Sequence, residues 1–180
     1  APMPMVRFIP PALRTFGRRF GSIRVKLRDL SPEEMLRALH DGTIDLAFLV
    51  RPTRAMLRGL HFEEIGREPV RLAVGKTHPL ARRRSIPVHL LQGLPLVSYC
   101  QRDFPEYHAQ IGAMLGNLKG APNIVEEHDD GAAVITALET GGAAILPQSL
   151  KLTVGARVKL LPIIPEPPPF AVGVAWVPGR

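Results

Sequence analysis

Residues 23–50, IRVKLRDLSPEEMLRALHDGTIDLAFLV, constrain the fold more than any other stretch of the chain. Ile23, Val25 and Leu27 alternate with Arg24, Lys26 and Arg28, the period of a strand with one polar face. Ser31 stands three residues before Glu34, with Pro32 between them. That spacing predicts a capping box with proline in the first helical turn, because the serine oxygen can accept an orphan N–H while the glutamate reaches back. Met35, Leu36 and Leu39 then share one helix face, and Gly42 is placed to end the helix in a left-handed conformation. Ile44 to Val50 is apolar apart from Asp45, the pattern of a strand buried on both faces. Strand, helix and strand together predict a right-handed, parallel βαβ crossover.

The rest of the chain continues in the same mixed style. Val6, Ile9, Leu13, Phe16 and Phe20 form an apolar stripe at helical spacing, which predicts a first helix over 5–20; Pro10 and Pro11 either kink it or mark its true start. His61–Glu68 and Val70–Gly75 read as strands, as do 94–99, 123–127, 157–162 and 170–177. Helices are predicted over 105–118 and 129–140, the second with Asp129 or Asp130 as its N-cap and Val134, Ile135 and Leu138 facing inward. The proline-rich 162–169 segment is read as a rigid extended connection.

At 180 residues, 46% hydrophobic and 22% charged, the chain suits one domain or two small lobes with a real core. No apolar run reaches the ~20 residues of a membrane helix, so no membrane partner is expected. The start, Ala-Pro-Met-Pro-Met-Val-Arg, lacks the basic-then-apolar layout of a signal peptide. The single Cys100 excludes an internal disulfide, which fits a reducing, cytoplasmic setting. The net charge of +7 invites a nucleic-acid reading. The arginines, however, are scattered over solvent faces without interleaved aromatics, so direct DNA binding by this chain is not expected.

Enzyme signatures are missing: there is no Gly-x-Ser-x-Gly, no phosphate-binding Gly-x-x-x-x-Gly-Lys-Ser/Thr and no His-Glu-x-x-His. No enzyme activity, cofactor or metal is expected. His78 has no His or Cys partner at metal spacing and reads as a turn residue. The acidic pairs Glu126–Glu127 and Asp129–Asp130 are explained by the preference of helix N-termini for negative charge. Arg51-Pro52-Thr53-Arg54 is a different matter, because a loop at the carboxyl end of a buried parallel strand is where open α/β sheets bind ligands.

Several of these segments carry a family resemblance. Leu-Arg-Asp-Leu-Ser-Pro-Glu-Glu, followed by Leu39 and Asp-Gly-Thr-Ile-Asp-Leu-Ala at 41–47, resembles the effector-binding domain of LysR-type transcriptional regulators. Lys76-Thr77-His78-Pro79-Leu80 matches the family's "x-x-H-P-L" element after a strand, and residues 86–92 resemble the short helix that follows it. Gly141 to Pro147 resembles its "G-x-G-hydrophobic-x-L-x-P" element, with Thr140 where the first glycine is usual.

The resemblance covers nearly all of the chain. It implies an α/β protein of two Rossmann-like lobes with a cleft between them, like a type 2 periplasmic binding protein. Residues 1–75 with 158–180 would form the first lobe, and 76–157 the second. The family's N-terminal winged helix-turn-helix, and a first sheet strand, would precede Ala1. DNA would then be a partner only through that part. The resemblance further implies a homodimer built on the first helix and the 23–28 edge strand, and a tetramer in a full-length protein. The alternative reading is a free-standing periplasmic solute-binding protein of the same architecture.

In the family the effector lies between the lobes. Carried over by position, the effector-binding residues would be Met3 and Pro4; Ser31 and Pro32; Val50 and Arg51; and Ser98, Gln101, Arg102, Phe104, Pro105 and Tyr107 in the second-lobe loop. Arg51 and Arg102 are the two cations expected to face the cleft. With helix N-termini after Asp29 and near Pro105, they point to a small organic anion as effector.

Overall fold

The structure, a computed structural model, describes residues 8–116 and 122–179. Helix α1 spans Ile9–Arg19, with Pro10 and Pro11 in its first turn. The prolines therefore mark the start of the helix, where their missing N–H groups would have had no partner in any case. Val6 and the rest of the expected first turn lie outside the described residues.

Helix α2, Pro32–His40, forms as its residues predict. The Ser31 hydroxyl accepts from the Glu34 N–H at 3.3 Å, and the Glu34 carboxylate accepts from the Ser31 N–H at 2.8 Å. At the other end Gly42 has φ 69°, and the Gly42 and Thr43 N–H groups donate to Leu39 and Ala38 at 3.1 and 2.9 Å. Those two bonds satisfy carbonyls the helix leaves open. Met35, Leu36 and Leu39 pack on Ala47, Leu49 and Ala175 in a small core of their own.

The expected βαβ crossover is not formed among the described residues. Residues 24–30 carry no strand, and Ile23, Val25 and Leu27 are 54%, 50% and 62% exposed. A strand exists only where its backbone groups find a ladder, and no described segment pairs with this one. The second strand is also shorter than expected: β1 is Ala47–Val50, and its partner is antiparallel, not parallel.

Among the described residues the strands form three sheets. The first has the order β1-β9-β2, where β2 is His61–Glu68 and β9 is Phe170–Trp176, all antiparallel. Gly173 sits in the middle of β9 because a Cβ there would strike the Glu63 carbonyl and the Phe62 ring. The second sheet has the order β4-β8-β3-β7, with β3 at Val70–Gly75, β4 at Ile86–Pro87, β7 at Ala143–Pro147 and β8 at Val158–Ile164. The third pairs β5, Leu96–Tyr99, in parallel with β6, Ile124–His128.

Helix α3 is Pro105–Leu115, and α4 is Gly131–Glu139 with the Asp130 carboxylate accepting from the Ala133 N–H at 2.8 Å. Val134 and Leu138 are buried, and Ile135 is half-buried. A short helix α5, Lys151–Val154, precedes β8. His78 is a turn residue: its Nδ1 accepts from the Leu80 N–H at 3.1 Å, starting a 3-10 turn over Pro79–Arg82. The 86–92 segment is the short strand β4 and a 3-10 turn over Val88–Leu91. The larger core gathers β3, β5, β7, β8 and the inner faces of α3 and α4, with Phe170 fully buried at the start of β9. Burying a side chain of that size contributes roughly 2–3 kcal/mol.

Candidate functional site

The start of α2, the start of α3 and the start of α4 face one another across a cavity of about 1000 Å³. Its rim runs from Asp29 to Arg37 on one side, and its far wall comes from Arg102 to Tyr107 and from Asp129 to Ala132. Tyr99, at the end of β5, and Phe170, at the start of β9, complete the interior. A cavity of this size suits a small molecule.

Of the residues singled out from the sequence, Ser31, Pro32, Val50, Arg102, Phe104 and Tyr107 line this cavity. Arg51, Ser98, Gln101 and Pro105 do not. Met3 and Pro4 lie outside the described residues. The Arg51 guanidinium donates to the Glu64 carboxylate at 2.8 Å and lies 4.7 Å from the Phe62 ring centre. Arg67, 2.8 Å from the same carboxylate, acts with Arg51 to hold Glu64 below the ordinary carboxylate range. Ser98 is buried behind the wall, where its hydroxyl meets the Tyr99 carbonyl at 3.0 Å and the His108 Nε2 at 3.2 Å. Gln101 is exposed on a turn, and Pro105 is the first residue of α3.

Arg102 reaches the cavity but arrives paired. It donates to both oxygens of Asp103, at 2.9 and 3.0 Å, which raises the guanidinium pKa and holds the Asp103 carboxyl low. Arg37, the other cation of the lining, donates to Glu33 at 2.8 Å.

The sequence places Glu34, Asp129 and Asp130 at helix starts, but only the structure gathers the carboxylates around one cavity. Asp29, Glu33 and Glu34 come from the α2 end, Asp103 and Glu106 from the α3 end, and Asp129 and Asp130 from the α4 end. Glu34 and Asp130 serve as helix caps. Glu106 is different: it is 5% exposed, and its Oε2 has no hydrogen-bond partner among the described residues. Burial pushes its carboxyl up to about 7, against a smaller opposing pull from its own backbone N–H.

Four aromatic rings among the described residues line the same space. Tyr99 lies 4.4 Å from Phe104 and 5.3 Å, edge-on, from Tyr107, and Tyr107 stacks on Phe170 at 6.2 Å. The Tyr107 hydroxyl donates to the Ile145 carbonyl at 2.9 Å, so the ring is fixed from behind. Burial raises the pKa of both tyrosines and keeps them neutral. No sequence signal pairs Phe170 with this loop, since it arrives from the last strand.

A two-lobed α/β fold with an interlobe cavity defines the class of type 2 periplasmic-binding-like domains. The chain belongs to the LysR substrate binding domain family, which matches residues 1–180. It is 29% identical over 145 residues to the HTH-type transcriptional regulator AlsR of Bacillus subtilis, covering 80% of this chain and 47% of that protein. The chain thus spans about half the length of this relative. Among solved structures, the effector-binding domain of QuiR in complex with shikimate superposes with a TM-score of 0.83 at 16% identity, covering 97% of this chain and 83% of that one. Full-length CbnR complexed with its target DNA superposes with a TM-score of 0.80 at 18% identity, covering 99% and 62%. These two likenesses establish the fold.

Proposed function

We propose that this chain is the effector-sensing domain of a LysR-type transcriptional regulator, with a small molecule binding in the cavity between α2, α3 and α4. The observation that carries this reading is the cavity itself, which draws its walls from elements on different sheets. A ligand touching both sides gains contacts only when they approach, and that differential affinity is what shifts a conformational equilibrium. The DNA response would then belong to another part of a full-length cytoplasmic protein, as the full-length CbnR–DNA complex supports by analogy. The regulator names among the relatives favour this function over a solute-binding protein or an enzyme.

The lobes would be residues 1–75 with 158–180, and residues 76–157, with β3 and β8 of the first pairing with β7 and β4 of the second. A homodimer through α1 and the 23–28 segment fits the exposed apolar side chains there, Phe20, Ile23, Val25 and Leu27. Val25→Asp should yield monomers by light scattering, and an unchanged dimer would move the interface elsewhere. The anionic reading draws on the helix N-termini together with Arg51 and Arg102, and both guanidiniums pair with carboxylates of the chain.

The test of the site is a thermal-shift screen against a metabolite panel, with wild type and Ala132→Trp side by side. Ala132 lines the cavity on the first turn of α4, so an indole there would intrude on the ligand's space. Ligands should raise the Tm of wild type and not of the variant. Ligands that stabilise both equally would place the site elsewhere.

A further inference from the structure

We propose that the cavity is built for a small organic cation, whose ammonium group is received by Glu106 and the aromatic rings beside it. The inference rests on the reading of this cavity as the effector site and adds the chemical class of the effector.

Three observations carry it. The first is charge. Among the described residues, seven carboxylates and two guanidiniums line the cavity, and both guanidiniums are paired within the chain. An entering anion would meet an acidic wall and no unpaired cation among the described residues. The helix N-termini do not reverse this. Those of α2 and α4 are already capped by Ser31 and Asp130, and α3 begins with a proline that has no N–H and a glutamate whose N–H is turned to its own carboxylate.

The second observation is Glu106. A buried acceptor without a partner demands an explanation, and a ligand donor supplies one. The third is the ring cluster. Tyr99, Phe104, Tyr107 and Phe170 line the cavity together with Glu106, and ring faces attract an ammonium ion when water is excluded.

The pairing has a pH signature. Without ligand, Glu106 titrates near neutrality. Its ionisable neighbours in the cavity are Arg102 and Asp103 from its own loop, and Asp129 and Asp130 from the α4 end. Asp29, Glu33, Glu34 and Arg37 line the same cavity from the α2 end, and Tyr99 and Tyr107, also in the lining, stay neutral. An ammonium ligand favours the carboxylate, so its binding releases a proton and tightens as pH rises through about 7. A carboxylate ligand needs the protonated form and tightens as pH falls.

The experiment is calorimetric titration of the 180-residue chain with 1,4-diaminobutane, ethanolamine and choline, and with succinate and shikimate, at pH 6 and pH 8 in two buffers of different ionisation enthalpy. At least one amine should bind, about tenfold more tightly at pH 8 than at pH 6, with release of close to one proton at pH 6. Glu106→Gln should weaken that binding and flatten its pH profile; the wild-type profile needs no variant and stands alone if Glu106→Gln fails to fold. Amine affinity equal at the two pH values, or no amine binding, overturns the proposal. Tight binding of succinate or shikimate that strengthens toward pH 6 overturns it while leaving the cavity as the effector site.

Discussion

Two helices begin at the same cavity and are finished in opposite ways. The start of α2 is closed by its own residues: Ser31 and Glu34 satisfy each other's backbone groups, and Glu33 holds Arg37. The start of α3 has no side-chain cap at Phe104, and its second residue is a buried carboxyl with a free oxygen. One end follows every local rule and serves the fold. The other breaks a rule that folding alone would enforce, which is the expected mark of a site that acts on something else. Opposite starting points thus give one wall that holds shape and one that reads chemistry.

The contrast is most easily broken through Glu106. Its folded-state pKa of about 7 lies above the ordinary value of 4.5, so the folded protein binds the extra proton between those pH values. Stability is therefore full at the acid end of that window and falls as pH rises through the folded pKa. The loss approaches about 3 kcal/mol by pH 8. Denaturant titrations should show Glu106→Gln losing none of this, so that the variant gains on wild type from pH 5 to pH 8. Parallel profiles for the two proteins would show that the carboxyl carries no burial penalty.

The next effect belongs to the same wall. Tyr107→Phe leaves the buried Ile145 carbonyl without its donor and should cost about 1–2 kcal/mol in urea unfolding at any pH below the tyrosine range. On the other side of the cavity, Ser31→Ala should cost about 1 kcal/mol, the ordinary worth of an N-cap, and should leave the difference between pH 5 and pH 8 unchanged. A pH-dependent loss at Ser31 would mean that the two helix ends are coupled. The smallest effect is at Arg102, whose exposed side chain pairs with its neighbour Asp103. Arg102→Ala should stay within about 0.5 kcal/mol of wild type. Because it removes a positive charge from the cavity, it should strengthen amine binding slightly.

What could be read from the sequence divides along the same line. The α2 start, its glycine stop and strands β2 and β3 are written in neighbouring residues, so spacing alone places them. The loop around Phe104 and Tyr107 was found from family position. Glu106 does not follow from position, because Tyr99, Pro147 and Phe170, which share the cavity with it, arrive from three separate strands. Arg51 was expected in the cleft from its place after β1, yet Glu64 faces it from β2 only through the register of both strands on β9. The 23–28 segment shows the limit of alternation as a signal: the pattern specifies which face would be buried, but a strand also needs a ladder beside it.

The central claim is that the α3 end holds a carboxyl poised for a cationic ligand. The most direct measurement is the ¹³C chemical shift of the Glu106 carboxyl followed from pH 3 to pH 9, with Glu106→Gln to assign the signal. A carboxyl of that kind should show a midpoint near 7 in the free protein, falling when 1,4-diaminobutane is present. A midpoint near the ordinary 4.5, unmoved by the amine, would contradict it.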